Sequence, residues 1–275
     1  SIFSDYDPHS ELSKLSASAG SGRAVKLSDE LWSMLRESDR FSRQTGGAFD
    51  VTVGPVIHVW RWARRNRQMP PIDRLDEAMM AVGYDKIQFD EENQTATLTQ
   101  TNMKLDLGGI AMGWTLDDVM KRLTAAGFQS VLIDGGGDIL VSEAPPGRDG
   151  WRIGVKEKRD GKPSRYVVLT HGAITTSGDM WQFVEIDGKR YSHIVDPKTG
   201  IGLTDHSSVT LISKDAITAD ALATAVSVLG PKKGLELVEK TEGVAAIILR
   251  KPGEEVETYE SSRVRELKIE AAEKE

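Results

Sequence analysis

The chain has 275 residues, of which 39% are hydrophobic, a formal net charge of −7 and no cysteine. This length can bury a substantial core without disulfides, and the lack of cysteine excludes thiolate catalysis and cysteine-ligated zinc or iron–sulfur sites. The acidic balance argues against a general affinity for nucleic acid, and no apolar run approaches the ~20 residues of a membrane-spanning helix.

The first part of the chain predicts both helices and strands. In chain order, these are a helix over 27–41, a short strand within 45–55, a basic loop over 61–71, a helix over 73–82 and a hairpin over 85–100. Ser28 can cap the first helix, and Leu31 and Leu35 follow on one face. Gly83 provides the stop for the second helix, and the hairpin has its turn at 91–93.

The second part interleaves further helices and strands. In order, these are a helix over 113–126, a strand–turn–strand over 130–142, strands over 151–156, 166–169, 183–186 and 209–212, helices over 218–229 and 232–239, and a strand over 244–249. The tail, 261–275, is rich in charge and predicts a solvated C-terminal helix or a frayed end. The irregular order predicts an α+β fold, with a mixed or antiparallel sheet core and flanking helices, in one domain over 1–260.

Several glycine-containing turns carry a carboxylate. Glycine lets backbone N–H groups approach a ligand closely, although a single Gly-Asp turn is more often only a turn. None has the G-x-G-x-x-G or Walker pattern of a nucleotide-binding loop. The aspartates in these turns are Asp50 in GGAFD, Asp106 in DLGG, Asp134 and Asp138 in DGGGD, and Asp179 in TTSGD.

The segment ADALAT places Asp220 and Thr224 four residues apart, on one face of a predicted helix. A carboxylate and a hydroxyl in this arrangement can offer two hard oxygen ligands to Mg²⁺. Alternatively, the Thr224 hydroxyl bonds the carbonyl four residues back, and Asp220 only favours the helix macrodipole near the helix start. The spacing alone leaves both interpretations open.

Two further sets of residues can be either functional or structural. His193 in RYSHIVDPKTG can shuttle a proton near neutral pH, or it can be a hydrogen-bonding residue at a strand end. Trp60 and Trp62, which flank Arg61, can stack an aromatic ligand, or they can form a partly buried surface patch.

Six motifs follow one another over residues 3–249: SDYDPHSELSKL, TGGAFDVTVGP, LDLGGIAMG, IDGGGDI, TTSGD with YSHIVDPKTG, and ADALAT. Their identity and order resemble the ApbE family of FAD:protein FMN transferases. The resemblance implies an enzyme that uses Mg²⁺ to cleave FAD at its pyrophosphate, attaches FMN to a threonine hydroxyl of an acceptor protein and releases AMP. The alternatives are an FAD pyrophosphatase that gives FMN and AMP, and a non-catalytic FAD-binding protein.

The resemblance also implies roles for individual positions. Asp220, Thr224 and the backbone carbonyl of Gly109 would hold the metal. His193 and Asp179 would be catalytic, with His193 as the acceptor of the threonine proton. The positions of the FAD site would be Tyr6, Ala48, Phe49, Asp50, Asp106, Met112, Ser177, Gly178, His193 and Ile194.

The sequence departs from the family pattern in ways that bear on activity. Met112 stands where the family commonly has a lysine that could pair with phosphate. Ser16 stands where asparagine is common, at a position connected with hydrolysis or retention of FAD. The family's usual strand before FSDY, which carries an FAD-contacting residue, is not seen in this sequence, and we expect either that the sequence is trimmed or that part of the site is missing. By resemblance alone, we expect an extracytoplasmic location, periplasmic or anchored as a lipoprotein, and an acceptor such as a membrane redox subunit.

Overall fold

The computed structural model describes residues 1–155, 163–178, 182–251 and 255–271. Its α-helices are α1 (Glu11–Ala17), α2 (Asp29–Gln44), α3 (Gly54–Asn66), α4 (Ile72–Met80), α5 (Ala111–Ala125) and α6 (Ala216–Lys240). Its strands are β1 (Val25–Lys26), β2 (Ile87–Asp90), β3 (Thr95–Leu98), β4 (Leu132–Asp134), β5 (Ile139–Val141), β6 (Trp151–Val155), β7 (Arg165–Leu169), β8 (Gly172–Gly178), β9 (Phe183–Ile186), β10 (Lys189–Ser192), β11 (Ser207–Ser213), β12 (Ala245–Arg250), β13 (Glu257–Glu260) and β14 (Lys268–Ala271).

The chain forms two compact units, and the first consists of Ser1–Ala111 with Gln182–Thr204. It contains α1 to α4 and a three-stranded antiparallel sheet in the order β1-β3-β2. The hairpin of β9 and β10 turns at Asp187 and Gly188, which have φ of 51° and 73°. Positive φ at both central residues is the geometry of a type I′ turn, which an Asp-Gly pair favours.

Trp60 lies in the core of the first unit. Its side chain is 2% exposed, its indole N–H donates to the Gly200 carbonyl at 2.8 Å, and its ring lies 5.2 Å from that of Tyr191. A buried indole that has found its hydrogen-bond partner is a packing residue. The structure therefore favours packing over ligand stacking for this tryptophan.

The second unit, Met112–Trp181 with Asp205–Glu275, contains the larger sheet. Six antiparallel strands follow the order β13-β12-β11-β8-β5-β4, and a separate three-stranded sheet has the order β14-β7-β6. Side chains of both sheets form one apolar cluster, which includes Val167, Ile212 and Ile247. Helix α6 bends at Gly230 (φ 71°, ψ 177°), immediately before Pro231, where the sequence predicted a break.

The α+β class with antiparallel sheets is confirmed, but three local predictions are wrong. The segment 45–55 forms turns, with only a single bridge from Val53 to Lys104, and leads into α3. Much of the predicted loop 61–71 belongs to that helix, which continues to Asn66. The described part of the C-terminal tail forms a short 3₁₀-helix (Ser262–Glu266) and then β14, because 268–271 pairs with β7, and not one α-helix. No helix within the described residues is long and apolar enough to cross a membrane.

Candidate active site

Asp106, in the turn before α5, is held by two donors in the first unit. Its Oδ1 accepts from the Gly108 N–H at 2.8 Å and its Oδ2 accepts from Arg61 Nη2 at 3.1 Å. Burial raises the pKa of Asp106 and the nearby Asp5 carboxylate adds to the rise, whereas Gly108 and Arg61 oppose it. Tyr6 lies over the Arg61 guanidinium at 4.2 Å and is 74% exposed. Tyr6 and Asp106, two of the predicted FAD-site residues, thus both contact Arg61.

The GGAFD motif points inward. Asp50 is 8% exposed, and its Oδ1 accepts from the Thr52 N–H at 2.8 Å and the Thr52 hydroxyl at 2.6 Å. Its Oδ2 accepts from the Tyr84 N–H at 3.0 Å. Burial raises the pKa of Asp50, while these three donors lower it. Ala48 and Phe49 are each 3% exposed, so the side chains of this motif lie in the core.

Helices α5 and α6 approach closely in the second unit, at Gly113. A side-chain carbon at this glycine would lie 2.4 Å from the Ala216 carbonyl oxygen. Asp117, one turn further along α5, accepts from the Ala216 and Ile217 N–H groups at 2.9 Å each. These contacts cap α6 and fix its first turns against α5. They therefore set the position of Asp220, which accepts from the Gly113 N–H at 3.0 Å.

Asp220 is buried beside a second carboxylate. Burial and the negative charge of Asp138 raise the pKa of Asp220 to about 7, and the Gly113 N–H only partly opposes them. Burial also raises the pKa of Asp138, which the Thr175 hydroxyl partly offsets. Within the described ranges, neither carboxylate pairs with an arginine or lysine. A buried carboxylate beside a partly buried one, with no compensating arginine or lysine among the described residues, is suited to a metal ion.

Thr224 lies one turn beyond Asp220 on α6 and is partly buried. No residue in the described part of the chain accepts a hydrogen bond from its hydroxyl, whereas Ser227 on the same helix bonds the Ala223 carbonyl at 2.8 Å. The alternative in which Thr224 bonds its own helix is therefore not observed. Asp220 also lies beyond the first turn of α6, which argues against a macrodipole role.

The third predicted metal ligand, Gly109, lies in the turn 108–110 of the first unit. Among the residues that the structure describes, no group of three or more Asp, Glu or His side chains could hold a metal. A cation bound by Asp220 would therefore need hydroxyl and carbonyl oxygens, or a ligand's own oxygens, to complete its shell.

Met112 lies against the glycine-rich turn between β4 and β5. A side-chain carbon at Gly135 would come within 2.6 Å of the Met112 Sδ, and Met112 is 41% exposed. Asp134 Oδ1 accepts from the Gly137 N–H at 2.8 Å and closes the turn. The side chain at position 112 thus borders the turn that carries Asp138.

The remaining predicted site residues lie on β8 and after β10. Ser177 and Gly178 are partly exposed at the end of β8, opposite Val209 and Ser208 of β11. The His193 Nδ1 lies 3.1 Å from the Gln182 carbonyl oxygen. Ile194 is 8% exposed. Asp179, the second predicted catalytic residue, lies outside the described residues.

Three residues gained a role only from the structure, Asp5, Arg61 and Asp117, and Asp138, which the sequence placed in a glycine-rich turn, gained its neighbour Asp220. The sequence could have indicated the position of Asp117, because it stands four residues after Gly113 and so lies on the same face of the helix. The sequence could not have indicated the ion pairs of Arg61, since its two carboxylate partners are 56 and 45 residues away in the sequence.

Comparison with known proteins agrees with the fold and the motifs. The profile of the ApbE family matches residues 1–248. The chain is 32% identical over 255 residues to the FAD:protein FMN transferase of Haemophilus influenzae, covering 90% of this chain and 74% of that protein. It is 33% identical over 256 residues to the FAD:protein FMN transferase of Treponema pallidum, covering 87% of this chain and 70% of that protein.

Solved structures give the same result. The apo form of the Pseudomonas stutzeri flavinyl transferase ApbE has a TM-score of 0.86 at 30% identity, over 97% of this chain and 83% of that one. The ApbE protein of Thermotoga maritima has a TM-score of 0.85 at 32% identity, over 96% of this chain and 85% of that one. The similarity to these named flavin transferases over nearly the whole chain identifies a transferase enzyme. The chain belongs to the ApbE family, as its motifs predicted.

Proposed function

We propose that this protein transfers FMN from FAD to a threonine hydroxyl of an acceptor protein. The threonine oxygen bonds the phosphorus of the FMN phosphate, the phosphoanhydride P–O bond breaks, and its electron pair leaves with AMP. The observation that supports this function most strongly is the similarity over nearly the whole chain to proteins named FAD:protein FMN transferase.

In this proposal, Tyr6 and Asp106 contact the nucleotide, together with backbone groups of 48–50 and the end of β8. His193 accepts the threonine proton. When its Nδ1 donates to the Gln182 carbonyl, the neutral ring carries its basic lone pair on Nε2. Asp179 remains a predicted catalytic residue from the family resemblance.

We further propose that Asp220, Thr224 and the Gly109 carbonyl hold Mg²⁺. The donor set fits the ion, because Mg²⁺ prefers hard oxygen ligands and keeps several waters or phosphate oxygens. The buried Asp220 beside Asp138 supports this choice, since a cation would relieve the repulsion between the two carboxylates. A bound Mg²⁺ would neutralise charge on the pyrophosphate. The extracytoplasmic location is proposed from family resemblance alone.

The test is incubation with FAD, Mg²⁺ and a threonine-containing acceptor, followed by mass spectrometry of the acceptor and chromatography of nucleotides. We expect one FMN phosphoryl adduct per acceptor and an equal amount of AMP. An acceptor with valine in place of the threonine is the matched control and should gain no adduct.

The same reaction separates the alternatives. FMN and AMP released equally with and without an acceptor would indicate a pyrophosphatase and contradict the transferase. Intact FAD after long incubation with Mg²⁺ would indicate a non-catalytic flavin-binding protein. EDTA should stop the transfer, and undiminished transfer in EDTA would contradict the metal.

A further inference from the structure

Arg61 joins two segments that are distant in sequence. Its Nη1 donates to Asp5 Oδ2 at 2.5 Å and its Nη2 donates to Asp106 Oδ2 at 3.1 Å. The three side chains are only 15–17% exposed, so solvent screens these pairs less than it screens surface pairs. One guanidinium thus connects the N-terminal segment to the DLGG turn.

The same guanidinium supports the ring of Tyr6, which lies 4.2 Å above its central carbon. The ring is 74% exposed, and the Tyr6 backbone N–H bonds only locally, to the Ser4 hydroxyl at 3.2 Å. Among the described residues, Arg61 Nε is buried without a hydrogen-bond partner.

We infer that Arg61 is a positioning residue of the nucleotide site, which holds Tyr6 and Asp106 so that both can meet one nucleotide. The inference rests on the proposed function, in which these two residues contact FAD. Arg61 acts through its neighbours, because its planar fork spans two carboxylates while its face supports an aromatic ring. Lysine offers a single point charge and cannot reproduce both contacts.

The test measures FAD binding by fluorescence titration without metal or acceptor, alongside KM and kcat for FMN transfer. We expect Arg61→Gln to weaken FAD affinity and raise the KM for FAD by about tenfold. The kcat should change by less than about threefold, because uniform binding and not the chemical step is affected. Arg61→Lys should recover only part of the affinity.

Arg36→Gln is the matched control. Arg36 also pairs with a carboxylate, Glu91 at 2.6 Å, and also stacks on an aromatic ring, Phe89 at 4.9 Å. It is not among the residues that contact Tyr6 or Asp106, so we expect unchanged FAD affinity. Thermal unfolding of each variant separates loss of binding from loss of folding.

Wild-type FAD affinity in a folded Arg61→Gln variant would overturn the inference and leave Arg61 as a structural ion pair. If that variant does not fold, Asp5→Asn tests the same link while leaving the Arg61–Asp106 pair intact. A fall in affinity with an unchanged unfolding temperature supports the inference, and unchanged affinity overturns it. Because binding is measured without an acceptor, a failure of the transfer reaction does not affect this result.

Discussion

Asp50 and Asp220 are both buried aspartates of short motifs, yet their surroundings differ. Asp50, in the first unit, receives three hydrogen bonds, from the N–H and hydroxyl of Thr52 and from the Tyr84 N–H. Asp220, in the second unit, receives one hydrogen bond from the residues that the structure describes, from the Gly113 N–H, and lies near another carboxylate. Burial raises the pKa of both side chains.

The difference shows that burial alone does not identify a ligand-binding carboxylate. Donors that converge on Asp50 stabilise its charge within the fold, so this side chain is already satisfied. Among the described residues, Asp220 has a single hydrogen-bond donor and a repelling neighbour, so its charge is less stabilised within the fold than that of Asp50. We therefore expect Asp50 to contribute chiefly to stability and Asp220 chiefly to the proposed metal site.

The largest expected effect is on Asp220. We expect Asp220→Asn to reduce FMN transfer by about 100-fold or more, because a metal ligand is lost and outer-shell losses alone reach 10–100-fold. The unfolding temperature at pH 8 should stay the same or rise, since a buried charge is removed. Steady-state transfer assays and thermal unfolding measure both.

Ser227→Ala is the control on the same helix, because the Ser227 hydroxyl bonds the Ala223 carbonyl and is not a proposed ligand. It should leave transfer near the wild-type rate. Wild-type transfer by Asp220→Asn would return Asp220 to a structural role and remove the contrast with Asp50.

Asp50→Asn should reduce stability, whereas Asp220→Asn should reduce FMN transfer. Asparagine offers one acceptor oxygen where three donors converge, so we expect a loss of about 2 kcal/mol in the free energy of unfolding, the scale of hydrogen bonds to a charged group. Urea unfolding measures it. Asp90, which is exposed and accepts from the Asn93 N–H in a turn, provides the control variant Asp90→Asn, with a smaller loss. An undiminished stability in Asp50→Asn with lost FAD binding would place Asp50 in the site instead.

The pH dependence of stability sharpens the comparison further. The pKa of Asp220 is raised from 3.8 to about 7, so between these values the folded protein keeps a proton that the unfolded chain has lost. Stability contributed by this group is therefore present below pH 3.8 and is lost as the pH rises through about 7. In a chain of this size, each kcal/mol lost lowers the unfolding temperature by about 2–4 °C.

Thermal scans of metal-free protein across this window measure the effect. Asp220→Asn should flatten the curve, although the raised pKa of Asp138 leaves some slope. Mg²⁺ should raise the unfolding temperature of the wild type more at pH 8 than at pH 5, because it competes with the proton. An equal effect of Mg²⁺ on Asp220→Asn would indicate a cation site elsewhere.

The smallest expected effect is at Met112, which borders the turn that carries Asp138. We expect Met112→Lys to raise FAD affinity or turnover by about twofold to fivefold, as a partly exposed charge pair does. Fluorescence titration and transfer kinetics measure this. Met112→Leu keeps the apolar arm and should change neither. If Met112→Lys also changes neither FAD affinity nor turnover, another group supplies the positive charge that a lysine at position 112 would provide.

The helices with clear periodicity and the hairpin over 85–100 could be predicted from the sequence because their signals are local. Helix α3 had a signal too, since Val56, Trp60 and Ala63 follow at helical spacing and are buried. The alternation within 45–55 and the arginines of 61–71 indicated a strand and a loop, although Pro55 is well suited to the first turn of a helix. The tail was misjudged because pairing with β7 overrides the helical preference of its residues.

Some residues of the candidate site could likewise be predicted from the local sequence, and others could not. Asp220 and Thr224 could be predicted because their spacing is a local property of one helix. The neighbour of Asp220, Asp138, and the contact from Arg61 to Asp106 depend on tertiary packing between distant segments. Spacing does not encode such contacts, which arise only when the units fold.

The close approach of α5 to α6 at Gly113 has a spectroscopic consequence. Because the Gly113 N–H donates to Asp220 Oδ2, the chemical shift of this amide depends on the charge of that carboxylate. Glycine amides fall in a sparsely populated region of a ¹⁵N correlation spectrum. The chain therefore carries its own NMR reporter, whose resonance should move when Asp220 loses its proton or receives a cation, without any added label at the site.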